Sequence, residues 1–154
     1  MLVRDGDPVA FDLLLAVPVH RAPAVVAASG LAPNGWIDVD PATLQTSVPG
    51  VFAVGDVTQV PAGGTAVPKA GAFADRAAGV VAAQIERQVR GTGEVTPFDG
   101  RGTCYLEFGG GTVAKVEANF LGGPEPDVRF VGPSRAFRPD KEAFASDRLT
   151  RWFR

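Results

Sequence analysis

The densest chemistry in the 154-residue chain lies in Thr46-Ser47-Val48-Pro49-Gly50-Val51-Phe52-Ala53-Val54-Gly55-Asp56-Val57. The apolar run Val51–Val54 has the length of a buried strand, and it hands a glycine and then a carboxylate to its own end. Ligands of open α/β sheets bind at the carboxyl ends of strands. Glycine there admits a ligand or a second backbone, and the Asp56 carboxylate is an acceptor suited to sugar-type hydroxyls. About a dozen residues on, Pro68-Lys69 opens the longest helical pattern in the chain. The free N–H groups and positive dipole end of such a helix favour a negative ligand group. Gly63-Gly64 keeps the connecting loop close. The plainer readings are that Gly55-Asp56 closes a strand and that Lys69 is a solvated helix-start lysine.

Three further features compete for a role. Cys104 is the single cysteine, so no internal disulfide exists. It reads either as a small core residue or as a redox group, which needs a thiolate and usually a partner. His20 has no metal-ligating neighbour in sequence, and its functional reading is a place near a substrate channel. Leu149, Trp152 and Phe153 either pack on a neighbouring hairpin or form a membrane-docking patch, because Trp and Phe favour the bilayer interface.

The elements that would position these residues follow from patterning. Leu2–Arg4 and Val9–Val17, separated by Asp5-Gly6-Asp7-Pro8, predict a β-hairpin. Ala22–Ser29 before Gly30 predicts a short helix. Trp36–Asp40 alternates as a half-exposed strand does. Lys69–Arg90 carries Phe73, Ala77, Val80, Val81 and Val89 at helical steps. Pro68 falls where a first-turn proline is tolerated, Gly91 and Gly93 form the stop, and Arg87 and Arg90 suit the dipole. Cys104–Phe108 and Thr112–Leu121 predict a hairpin turned by Gly109-Gly110-Gly111, with Tyr105 and Phe108 as its packing residues. Val128–Val131 is a third candidate strand, and Asp140–Phe153 a closing helix.

Thr-x-x-Pro-Gly-Val-Phe-Ala-x-Gly-Asp-Val resembles the second FAD-binding motif of the two-dinucleotide-domain flavoprotein oxidoreductases, the pyridine nucleotide-disulfide oxidoreductase superfamily. Gly35–Asp40 and Leu44-Gln45-Thr46 match its run-up. Pro68-Lys69-Ala70-Gly71 and Cys104–Gly109 resemble the sulfide:quinone oxidoreductase and flavocytochrome c sulfide dehydrogenase branch. The resemblance implies an α/β fold: the C-terminal half of a doubly wound FAD-binding domain, then a small α+β domain of hairpin plus helix. Residues 1–17 would end a nicotinamide-type domain, 18–92 would belong to the FAD domain, and 93–154 would form a dimerisation or membrane-facing domain. Asp56 would hold the ribityl chain of FAD, with Gly55 permitting the approach and Val57 offering backbone contacts. Pro68 and Lys69 would begin a helix aimed at the flavin's N1 side, stabilising charge on reduced flavin. Cys104 would be a candidate catalytic cysteine. Electrons would pass from sulfide or NAD(P)H through flavin to an acceptor such as quinone.

The Gly-x-Gly-x-x-Gly turns of the superfamily are not in this sequence. The expectation is therefore a C-terminal fragment, inactive alone, whose partners are upstream FAD and nicotinamide domains and a homodimer mate. A stand-alone oligomerisation or membrane-docking module is the alternative. Net charge is −2 and pI about 5.3, against a nucleic-acid partner. No apolar run reaches the ~20 residues of a membrane-spanning helix. The lone cysteine suits a cytoplasmic setting, with peripheral membrane contact allowed. Gly and Pro together number 32 of 154, which excludes a long coiled coil and predicts many turns.

Overall fold

The computed structural model describes residues 2–4 and 7–153. Strands β1 (Leu2–Arg4) and β2 (Asp7–Val9) pair antiparallel, with Leu2 opposite Val9. Asp5 and Gly6 of the expected turn lie outside the described residues. The expected strand Val9–Val17 ends at Val9. Beyond it the backbone has no strand partner among the described residues, and Leu13, Leu15 and Val17 are 75%, 87% and 85% exposed. An apolar run signals a need for burial, but a strand also requires a neighbour to receive its N–H and C=O groups. Helix α1 (Ala24–Ala28) follows Pro23, whose carbonyl accepts from Val26 and Ala27, and Gly30 turns the chain away.

Strand β3 (Ile37–Asp38) lies parallel to β4 (Thr58–Gln59). This two-residue pair is the only parallel pairing among the described residues, where the family resemblance implies part of a doubly wound sheet. Val51–Val54, expected as a buried strand, makes a single bridge between Phe52 and Gln45, and only Ala53 is buried. β5 (Pro61–Ala62) and β6 (Thr65–Ala66) form a hairpin around Gly63-Gly64. At Gly63 a Cβ would stand 2.4 Å from the Pro124 carbonyl oxygen, so only glycine lets the two loops meet.

Helix α2 (Gly71–Arg90) starts two residues later than its sequence pattern suggests. Ala70 is its N-cap, so Pro68 and Lys69 precede the helix, and Pro68 is not a first-turn proline. Gly91 ends it in the left-handed region at φ +70°, with Arg87 and Arg90 in the last turn as expected. Ala72, Phe73 and Ala77 are buried; Val80 and Val81 pack partly, and Val89 is exposed. The core side of the helix is thus its N-terminal half.

Strands β7 (Arg101–Glu107), β8 (Val113–Asn119) and β9 (Asp127–Ser134) form an antiparallel sheet in that order. Helix α3 (Arg138–Trp152) closes the chain. One core joins the layers: Ile37, Val39, Leu44, Ala53, Val60, Phe73, Ala77 and Phe98, with Ala118, Phe120 and Leu121 packed against it. Phe73 meets Phe120 edge-on at 5.6 Å. It also fills the space over Gly102, where an added Cβ would come within 2.6 Å of its ring. Leu44, fully buried, sits at φ +60° and is held by hydrogen bonds from its N–H to Asp40 and from Ala53 to its carbonyl.

Candidate functional site

The apolar strand end delivers Gly55 to a one-turn 3-10 helix, Gly55–Val57, at φ +79°. That conformation favours glycine, and the nearest atom to a Cβ there would be Ala74 of α2 at 3.8 Å. The turn therefore lies directly against the first turn of α2. Thr58, buried, locks it by donating its hydroxyl to the Gly55 carbonyl at 2.7 Å. The Thr58 N–H donates to the same carbonyl. Asp56 stands at the outer edge, exposed, while Val57 turns its side chain to the core.

Lys69 is the least expected part of the site. Its Nζ donates to the carbonyls of Asp56 and Thr58, each at 2.7 Å. It also lies 3.7 Å from the centre of the Trp36 ring. Burial lowers its pKa from the usual lysine range, and the charge of Asp56 opposes that shift. It is not a solvated lysine. Neither Trp36 nor Thr58 stood out in the sequence as part of the site; the available hint was that Trp36 opens the half-exposed strand in the run-up to the motif.

Helix α2 has no side-chain cap at its N-terminus; the Phe73 and Ala74 N–H groups donate to the Ala70 carbonyl, which leaves those of Gly71 and Ala72 without a partner among the described residues. Between the turn and the helix is a space of only about 20 Å3, bounded by Val60, Phe73 and Phe98 among others. That is room for about one water molecule. A larger ligand would lie along the outside of the turn, where Asp56 and the start of α2 are presented together.

The remaining candidates are elsewhere. Cys104 is half-buried on β7 opposite Val116 and does not line that space. Alternation along the strand puts it on the same sheet face as Gly102. His20 is exposed on the stretch that follows β2. Tyr105 packs edge-on against Phe144 of α3, and Phe108 against Phe130 of β9. Leu149, Trp152 and Phe153 are 60%, 56% and 78% exposed, which overturns packing on the hairpin. α3 is instead fastened at its surface, with Asp75 of α2 taking both Arg148 and Arg151. Between α2, the sheet and α3 runs an open cleft of about 860 Å3 bordered by these charges and by the Arg76–Asp99 pair.

No family model matches the chain. It is similar to the mitochondrial sulfide:quinone oxidoreductase of Schizosaccharomyces pombe, with 35% identity over 127 residues, 81% of this chain and 26% of that protein. It is also similar to the mitochondrial sulfide:quinone oxidoreductase of Mus musculus, with 29% identity over 116 residues, 74% of this chain and 25% of that protein. The solved sulfide:quinone oxidoreductase of Aquifex aeolicus superposes with a TM-score of 0.60 at 24% identity, over 80% of this chain and 30% of that one. The fold is therefore one found within an oxidoreductase. More narrowly, the chain is sulfide:quinone oxidoreductase-like over most of its own length, and it spans about a quarter of the length of the curated relatives it matches.

Proposed function

We propose that this chain is the C-terminal, flavin-contacting part of an FAD-dependent oxidoreductase that takes electrons from sulfide and passes them to a quinone. The observation that carries this reading is the Gly55–Asp56 turn set against the uncapped start of α2. The pieces fit the group. An exposed carboxylate can accept from the ribityl hydroxyls, a positive-φ glycine lets the chain of FAD pass closely, and free helix N–H groups favour the negative side of a reduced flavin. Asp56 and Gly55 would hold the sugar-alcohol chain, with Val57 offering its backbone. Pro68 and Lys69 lead the backbone into the helix start. FAD, when bound, supplies the electron-transfer chemistry itself. The sulfide and quinone assignments rest on the similarity to the sulfide:quinone oxidoreductases; a nicotinamide donor draws no support from them.

The exposed apolar run from Leu13 to Val19 supports a partner in the form of upstream FAD-domain polypeptide, which would supply the missing neighbouring strands. The chain by itself is then inactive and holds FAD poorly. Purified alone it is expected to be colourless, and a stoichiometric yellow protein would overturn that part of the reading. Grafted in place of the matching segment of the S. pombe relative, it is expected to restore flavin absorbance. Asp56→Ala in the graft is expected to weaken flavin retention about tenfold or more, as loss of hydrogen bonds to a charged group does. Equal retention would remove Asp56 from the site.

A second reading, membrane docking, is favoured by the exposure of Leu149, Trp152 and Phe153 at the end of α3. No helix among the described residues is long and apolar enough to cross a membrane, so the contact would be peripheral. Co-sedimentation with liposomes is expected, and to be lost when all three are changed to Ser; unchanged sedimentation rejects the patch.

A further inference from the structure

The Lys69 ammonium has three N–H donors. Two are taken by backbone carbonyls of Asp56 and Thr58 at 2.7 Å, and its charge lies against the face of Trp36 at 3.7 Å. Those partners come from three stretches of chain: the residue before β3, the Gly55–Val57 turn, and β4. Lys69 itself leads into α2. One cation therefore ties the turn, the parallel strand pair and the start of the helix at a single point. The turn's own closing bonds, from the Thr58 N–H and hydroxyl to the Gly55 carbonyl, set its curvature. They do not set its angle to α2. Among the described residues, Lys69 supplies the hydrogen bonds from the turn to the approach of that helix, alongside the Gly55–Ala74 contact.

We propose that Lys69 is a positioning residue, an internal brace that commits two of its three N–H donors to the Asp56 and Thr58 carbonyls and its charge to the Trp36 face, and so fixes the turn that presents Asp56. This revises the sequence expectation of a lysine held out to the flavin. The identity of the ligand rests on the flavin reading; the brace does not. An ammonium held by two carbonyls and an aromatic face exchanges its protons slowly, whereas a surface lysine exchanges them too fast to observe. Arg in its place could still reach both carbonyls, with a different fit to the ring.

The test uses the chain as it is, without flavin, so a failed flavin reconstitution and a failed brace are distinguishable. In 15N NMR of the unaltered protein, the Lys69 ammonium is expected to give a resolved resonance at neutral pH correlated with the Asp56 and Thr58 carbonyls. Free lysine in the same buffer serves as the fast-exchanging reference, because Lys115 and Lys141 are both ion-paired. In a Trp152→Phe background the fluorescence reports Trp36 alone, since the chain has two tryptophans. Its emission is expected to change with pH at a midpoint below the ordinary lysine value of about 10.4, and this change is expected to vanish in Lys69→Met. In Lys69→Met the Thr58 amide is expected to exchange about tenfold faster or more, relative to Ala77 in α2, with Lys69→Arg recovering most of the protection. The proposal is overturned by a Lys69 ammonium exchanging as fast as that of free lysine, a figure that needs no variant to fold. It is equally overturned if the Trp36 response persists in Lys69→Met or the relative Thr58 exchange does not change.

Discussion

The Gly55–Lys69 corner and helix α3 are held to the molecule by opposite means. The corner is pinned from within, by hydrogen bonds to backbone carbonyls beside the buried Thr58, Val60 and Phe73. Helix α3 has no buried residue. It is fastened by Lys115–Asp140, Lys141–Glu107 and the Asp75 pairs with Arg148 and Arg151, assisted by the Tyr105–Phe144 contact. Lys115, Asp75 and Arg148 are partly buried in these pairs and the other partners exposed; such pairs contribute modestly and are screened by salt. Backbone bonds inside a packed corner are not. A site that must keep its geometry is built the first way, and an element free to shift or meet another surface is built the second.

The sharpest way to break this contrast is to remove the packing that supports the corner. Phe73 is 6% exposed, meets Phe120 edge-on and fills the space over Gly102. Phe73→Ala is expected to cost about 3–5 kcal/mol, read as a lower urea midpoint of the global transition. A loss under about 1 kcal/mol would mean that the helix and the sheet are not one core, since a truncated buried aromatic leaves a cavity that rigid neighbours cannot refill.

The same contrast explains what could be read from the residues alone. The Gly55-Asp56 turn, the stop at Gly91 and the three-stranded sheet were legible because each depends on neighbours in sequence: a positive φ, a helix end, alternating runs around a glycine turn. The Lys69 brace was not, because its acceptors are main-chain carbonyls, which every residue has, and Trp36 is far along the chain. The run from Val9 to Val17 misled for a different reason. Its apolar character is real, yet the partner that would make it a strand is not among the described residues. Nor does the sequence of α3 say which surface covers Leu149, Trp152 and Phe153, since a cluster of apolar residues specifies burial without specifying by what.

A smaller perturbation sharpens the other half of the comparison. Asp75 receives Arg151 and Arg148 from α3, and the hydrogen bond from Arg151 is the largest cause holding its carboxyl below the usual aspartate range. With the folded pKa depressed, this contribution is fully present above the ordinary aspartate value of about 3.9 and fades as pH falls through the lower folded value. Asp75→Asn removes the charge without changing size. It is expected to cost about 1 kcal/mol or less, leaving the urea midpoint nearly unmoved, while Trp152 emission in a Trp36→Phe background shifts toward that of the free helix. The same emission shift is expected in the unaltered chain as salt rises at neutral pH or as pH falls below 3.9, and neither treatment should then affect Asp75→Asn further. If the variant still responds to acid as the parent does, another carboxylate governs the end of α3. Asp140 and Glu107 pair at its first two turns, too far along the helix to report through Trp152 unless α3 moves as a rigid whole.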